Sequence, residues 1–289
     1  MNSDDRLSLY WVDAFTQIPF AGNPAVVVPQ ADALNEQQMQ AIAREVNCSE
    51  TAFVLPAQNP EADFHLRWFT PTQEVDLCGH ATIATLHTLA ELGRFNLRPH
   101  THQILYIETR SGVLSVAIDY GSASPWVWLT LPRCDFTPVP TDIATHLTQI
   151  LELPGSPQPV VDSLNHDVLI EIKTLKDLQA LTPDFRQLDQ LGRQQHWRGV
   201  CVYTTETINP AHCAHSRFFA PQSGIEEDPV TGSVSGPLAL YLSPQSSQEL
   251  VLEQGDCLQR PGRVKIQLEQ DSLKLGGQAV TVLQGEMRF

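Results

Sequence analysis

Apolar positions along the chain change period several times, and each change predicts an element. Leu7 to Phe15 is rich in β-forming residues and predicts a strand. Gly22-Asn23-Pro24 then predicts a turn into a short buried strand, Ala25-Val26-Val27-Val28. Asn35 opens a helix, and Gln38, three residues on, is the matching capping-box residue. Met39, Ile42, Ala43 and Val46 give that helix one apolar face. Thr51 to Leu55 returns as a strand. Phe64, Leu66 and Trp68 alternate with His65 and Arg67, which is a strand period. A second helix is predicted over 81–92, ending at Gly93. Three strand-like runs follow, QILYIET, GVLSVAID and PWVWLTL, with Gly112 marking a hairpin turn between Glu108 and Val113.

Beyond this point the pattern resets. RCDFTPVPTD, with two prolines and little periodicity, reads as a linker. The following segment predicts helices near 141–152, 174–181 and 233–242 with strands between them. RVKIQLE leads through a turn at Gly277 into AVTVLQGEM. Many strands and few helices make the class α+β.

The two parts echo each other. Phe69-Thr70-Pro71, Glu74-Val75-Asp76 and Cys78-Gly79-His80 precede a small-residue helix; so do Phe219-Ala220-Pro221, Glu226-Glu227-Asp228 and Thr231-Gly232-Ser233. The spacing differs by three residues, so the echo alone leaves duplication and coincidence both open.

Composition narrows the function. The 289 residues are 42% hydrophobic, enough to bury a sizeable core, and carry 18 Lys+Arg against 33 Asp+Glu, a net charge of −15. That field repels phosphate backbones and anionic lipid heads, which argues against nucleic-acid and membrane-surface roles. It leaves an anionic small substrate open, because local dipoles override a distant field. No apolar run approaches the ~20 residues of a membrane span. The start, MNSDDRLSLYWVDAF, is acidic where a secretory signal is basic. The six cysteines form no CxxC pair, so free thiols in a reducing cytoplasm are expected.

Helix N-termini present unpaired N–H groups, and glycine there admits a ligand close to the backbone. Gly79 and Gly232 at two helix starts could therefore hold a carboxylate. The loops leading into these helices carry Asp76, His80, Glu226, Glu227 and Asp228, acid–base groups suited to moving a proton on carbon. Glu50, between an amphipathic helix and an apolar strand, is a candidate base whose pKa partial burial would raise. An edge carboxylate capped by Ser49 or Thr51 fits the same pattern. Cys78 reads either as an acid–base thiol or as a small buried residue. His212-Cys213-Ala214-His215 fits no standard zinc spacing, so no metal is expected. Glycine-rich phosphate loops are absent, so no nucleotide cofactor is expected. Ser233 lacks the G-x-S-x-G elbow of a hydrolase.

Five ordered runs resemble the PhzF family of phenazine-biosynthesis isomerase-like proteins. They are Val12-Asp13-Ala14-Phe15 with Gly22-Asn23-Pro24, Ser49-Glu50-Thr51-Ala52-Phe53, Phe69-Thr70-Pro71 with Cys78-Gly79-His80-Ala81-Thr82, Glu227-Asp228-Pro229-Val230-Thr231-Gly232-Ser233, and Gln254-Gly255 with Arg260-Pro261-Gly262-Arg263. The resemblance spans essentially the whole chain. It implies a diaminopimelate-epimerase-like fold: two pseudo-symmetric α+β halves, each a mixed or antiparallel sheet wrapped around a central helix, with the site in the cleft. With the linker as divide, the halves run 1–131 and 132–289, and the last strand is a candidate to return to the first half.

The resemblance also implies a cofactor-independent isomerase that moves a proton in a small carboxylate-bearing molecule. It assigns Glu50 as general acid/base, His80 and Asp228 as catalytic partners, and Gly79, Gly232 and Ser233 as substrate-binding residues; Asp76, from the acidic loop before the first helix, is a further substrate-binding candidate. It implies a homodimer. Related racemases use two thiols, and here the second half has Asp228-Pro229-Val230-Thr231 and no thiol before Gly232. That disfavours a cysteine-dependent racemase and leaves Cys78 as a packing residue. A non-catalytic carboxylate-binding protein is the remaining alternative.

Overall fold

The computed structural model describes residues 6–97, 102–120, 124–155 and 157–288. By internal contact the chain divides into two compact units, one made of residues up to Thr130 with those from Gly276 onward, the other Leu131–Leu275.

The first unit begins with β1 (Arg6–Ala14), β2 (Asn23–Val28), α1 (Glu36–Val46) and β3 (Thr51–Leu55). It continues with β4 (Phe64–Phe69), β5 (Glu74–Val75), α2 (Gly79–Glu91), β6 (His102–Thr109), β7 (Gly112–Asp119) and β8 (Trp126–Pro132). The capping box on α1 forms: Asn35 Oδ1 accepts from the Gln38 N–H and Gln38 Oε1 from the Asn35 N–H, both at 3.0 Å. Met39, Ile42 and Ala43 turn inward against Val28, Phe53 and Phe69. The predicted hairpin also forms, with Gly112 at φ +103° opposite Thr109.

α2 starts two residues earlier than its apolar period predicts, because Cys78 is its N-cap, and this brings Gly79 and His80 into the first turn. Its residues 80–89 are all buried, and it packs against β1, β2 and β3. A buried helix cannot leave hydroxyls unpaired. The hydroxyls of Thr82, Thr85 and Thr88 bond back to the carbonyls of Cys78, Ala81 and Ala84 at 2.6, 2.7 and 2.9 Å.

The second unit contains β9 (Phe136–Pro138), α3 (Thr141–Ile150), β10 (Val160–Asp162), β11 (Asp167–Glu171), α4 (Leu175–Ala180) and α5 (Phe185–Gln195). Next come β12 (Gly199–Thr204), β13 (Ala214–Ala220), β14 (Ile225–Asp228), α6 (Gly232–Leu242), β15 (Leu250–Gln254) and β16 (Gly262–Leu268). β17 (Ser272–Gly277) carries the chain across the unit boundary, and β18 (Ala279–Arg288) pairs antiparallel with β1.

Three sequence expectations change here. The proline-rich linker contains β9, which pairs with β10, because Pro138 is the strand's last residue and Pro140 lies beyond it, leaving Thr137 free to pair. α5 was not foreseen; Asp184 caps it through the Gln187 N–H at 3.0 Å, and Leu188 and Leu191 bury its apolar stripe. Gly277 ends β17 and makes no turn. Phe15 and Ile83 approach its backbone so closely that a Cβ would sit 2.7 Å from each.

Strand pairing repeats in the two units. β2 runs parallel to β3, β3 antiparallel to β4, and β4 parallel to β6. β11, β12, β13 and β15 follow the same sequence of directions. In register, Thr51 faces Phe69 and His65 faces Glu108; Val200 faces Phe219 and His215 faces Glu253. The side chains repeat as well. Arg67 forks onto Glu74 at 2.7 Å and lies 5.1 Å above the Phe69 ring. Arg217 forks onto Glu227 at 2.8 and 2.7 Å and lies 5.0 Å above Phe219. α2 and α6 occupy corresponding places, each after the short strand that completes the acidic loop.

Candidate functional site

In the first unit the start of β3 meets the start of α2. His80 Nε2 lies 3.2 Å from Glu50 Oε2 and 3.4 Å from Ser49 Oγ, and its Nδ1 lies 3.5 Å from Cys78 Sγ. Side-chain exposure is 10% for His80 and 13% for Glu50, so the pair is nearly out of water while one edge stays reachable. Ser49 Oγ also donates to the Pro24 carbonyl at 3.2 Å, tying the β3 entrance to the start of β2.

Burial is the strongest influence on the ionisable groups here. It pushes the Cys78 thiol up, which keeps it protonated, and pushes Cys48 up to about 11. Burial opposes charge on His80 too, yet the groups beside the ring raise its pKa well above the ordinary histidine value. Those groups are the Cys78 sulfur and the Glu50 carboxylate, both of which favour the cationic ring. The result is a carboxylate base held against an imidazolium donor. The ligand atoms of Glu50, Cys78 and His80 also lie within 4.8 Å of one another, a mixed O/S/N donor set that zinc could take.

In the second unit the start of β12 meets the start of α6. Asp228 is buried and accepts the Thr231 hydroxyl at 2.5 Å. Its backbone carbonyl accepts Gln254 Nε2 at 2.8 Å, and Gln254 Oε1 accepts the Thr231 N–H at 3.0 Å. Gly232 and Ser233 form the first turn of α6, and Ser233 Oγ accepts from Arg198 Nη1 at 2.9 Å. Neither N-cap offers its helix the oxygen acceptor that Asn35, Thr174 and Asp184 give theirs: Cys78 has none, and Thr231 turns its hydroxyl to Asp228. First-turn acids are lacking in both helices. The N–H groups of these two starts are therefore suited to an external anion.

Glu50 and His80 are thus together, with Gly79 between Cys78 and His80; Asp228, Gly232 and Ser233 form a second group. Asp76 stands outward, its side chain 71% exposed and 3.3 Å from Arg110. Glu227, expected among the acid–base groups, is held by Arg217 as a buried structural pair. His212 and His215 both turn to Glu253, at 2.6 and 2.9 Å, and so form a hydrogen-bonded cluster around that carboxylate. The sequence reading missed Arg198 and Asp167. Their signal was a lone charge before each of two apolar runs, GVCVY and VLIEI. A hollow of about 840 Å³ lies beside Arg217 and Glu227, whose charges are already paired with each other.

The family described as phenazine biosynthesis-like protein (PhzC-PhzF) matches residues 12–285. An uncharacterized isomerase of Clostridium acetobutylicum is 32% identical over 98% of both chains. An uncharacterized isomerase of Pseudomonas aeruginosa is 37% identical over 98% of this chain and 99% of its own. The crystal structure of a PhzF-family phenazine biosynthesis protein from Bacillus anthracis superposes with a TM-score of 0.87 at 29% identity, covering 98% of this chain and 99% of the other.

Proposed function

We propose, from the premise that this chain belongs to the phenazine biosynthesis-like protein family and is an isomerase, that it moves a proton between carbons of a small carboxylate-bearing substrate without a cofactor. The observation that carries this reading is the buried Glu50–His80 pair, 3.2 Å apart. The Glu50 carboxylate removes a proton from carbon, and the electron pair left behind spreads into the substrate's carboxylate as an enolate. His80, as a cation held beside Glu50, stabilises that developing charge electrostatically. The proton held on Glu50 then returns to a second carbon, so nothing is gained or lost overall. Gly232 and Ser233 supply donors to the carboxylate, and Asp228 accepts from a neighbouring amino or hydroxyl group. Gly79 admits the substrate to the α2 backbone, and Asp76 is an outer binding group.

Two features support one base over two thiols. Burial keeps Cys78 protonated, and the position matching Cys78 before α6 is Thr231. A cytoplasmic homodimer is the matching proposal for location and assembly.

The test is solvent deuterium incorporation into a screened set of small unsaturated carboxylic acids. Exchange into at least one acid is expected from the native protein, with loss in Glu50→Gln. No exchange with any acid, from protein shown to be folded, would sink the proposal.

A further inference from the structure

The two units build the same joint with different chemistry. Thr51 and Val200 hold matching positions opposite Phe69 and Phe219, so Ser49 corresponds to Arg198. Gly79 and Gly232 open the matching helices, so His80 corresponds to Ser233. In the first unit Ser49 and Glu50 lie against the His80 ring. In the second, Arg198 lies against Ser233.

We propose that Arg198 is a positioning residue for substrate binding: anchored by Asp167, it occupies a lone pair of Ser233 Oγ and so directs the Ser233 hydroxyl hydrogen at a substrate carboxylate. This inference rests on the reading of Ser233 given above. A guanidinium has donors only, so in the 2.9 Å contact Ser233 must accept. Its own hydrogen is then free for another partner. Arg198 is held for this task. Its Nε donates to Asp167 Oδ1 at 2.9 Å and its Nη2 to Asp167 Oδ2, and Asp167 is fully buried. Asp162, also fully buried, sets the loop by accepting the N–H groups of Leu164, Asn165 and Asp167 at 2.9, 2.6 and 3.1 Å.

Ser233 is fixed from its other side as well. Pro237, four residues on, has no N–H to give the Ser233 carbonyl. Asn165 Nδ2 takes that carbonyl at 3.0 Å. A cation serving only to neutralise Asp167 would not need its third nitrogen on Ser233. Nor would it need to reach solvent, and the Arg198 side chain is 37% exposed where Asp167 is 0% exposed.

The test is calorimetric titration of the full chain with benzoate and with cyclohex-1-enecarboxylate. Native protein should bind at least one. Arg198→Ala and Ser233→Ala should each weaken binding about tenfold, the worth of one hydrogen bond to a charged group. The double variant should be no weaker than Ser233→Ala by more than about twofold, since both changes remove one interaction. Arg198→Lys, which keeps the charge but cannot bridge Asp167 and Ser233, should recover little. Asp167→Asn, which keeps shape and removes the anchor, should weaken binding several-fold, and it decides the matter if Arg198→Ala does not fold. Additive losses in the double variant would overturn positioning. Unchanged binding in Arg198→Ala with loss in Ser233→Ala would overturn the role of Arg198 and leave Ser233 standing. Unchanged binding in Ser233→Ala, or no binding by native protein, would overturn the Ser233 reading and this inference with it.

Discussion

Arg67 and Arg217 stand in the same place and do the same thing, whereas Glu50–His80 and Arg198–Ser233 stand in the same kind of place and do different things. The difference follows from what each joint must satisfy. An arginine on a buried strand needs a carboxylate wherever it occurs, and both units supply one over an aromatic ring. A helix start with no oxygen cap has spare N–H donors in both units, but the residue set against it is open to choice. One unit sets an acid and an imidazole there, and the other a cation and a hydroxyl. A second repeated device shows how surroundings tune one arrangement. Glu108 caps the Asn59-Pro60 turn through the Gln58 and Asn59 N–H groups at 2.6 and 3.0 Å, and Glu253 caps the Asn209-Pro210 turn through those of Ile208 and Asn209 at 2.8 and 2.9 Å. Glu108 is half-buried, while Glu253 is fully buried with two histidines on it.

The comparison can be broken most directly at Glu50. Glu50→Gln should lower deuterium exchange by about 10²–10⁴-fold, the range for losing a positioned base, with the melting temperature held within a few degrees. Retained exchange would end the idea that the first unit carries the proton transfer.

Stability separates the two turn caps. Glu253→Gln should cost about 3–5 kcal/mol in denaturant unfolding, because it removes a fully buried carboxylate that two backbone N–H groups, two histidines and Arg263 surround. Glu108→Gln should cost about 1 kcal/mol or less. Burial opposes charge on Glu253, but the two N–H groups and the two histidines overcome it and hold its pKa down to about 2 from 4.5. A depressed carboxylate stabilises above its unfolded pKa. Native protein should therefore lose stability as pH falls from about 4.5 toward 2, and Glu253→Gln should flatten that slope. Equal effects at positions 108 and 253 would show that burial does not distinguish them.

His80 has the opposite sign. Its raised pKa means that the stability it contributes is present below the ordinary histidine value near 6.5 and is lost as pH rises through the raised one. Unfolding free energy should decline on the alkaline side in native protein and less so in His80→Gln; parallel curves would show that His80 does not carry that slope. The smallest effect belongs to Cys78. Cys78→Ala should change exchange by no more than about twofold, and a loss near that of Glu50→Gln would restore a thiol mechanism.

Much of this was legible in the chain. The capping box at Asn35 and the hairpin at Gly112 are local, since each is set by residues a few places apart. The duplication was half legible. Phe69-Thr70-Pro71 and Phe219-Ala220-Pro221 were read as an echo, but the repeat begins four residues earlier, as His65-x-Arg67-x-Phe69 and His215-x-Arg217-x-Phe219. α5 was missed because its apolar face is narrow: only Leu188, Leu191 and Gly192 are buried.

By itself, then, the sequence determined the strand-rich α+β class, the presence of a small-residue helix after each of Gly79 and Gly232, and the residues able to do acid–base chemistry. Those depend on composition, period and short spacings. Only the tertiary structure decided which charges are spent on structure and which are left for chemistry. Glu227 and Glu50 look alike in the chain, but a strand pairing brings Arg217 to the first and a helix start brings His80 to the second. Arg198 and Ser233 are 35 residues apart and meet because β12 and α6 begin beside each other. Contacts of that range arise from packing, which no local pattern records.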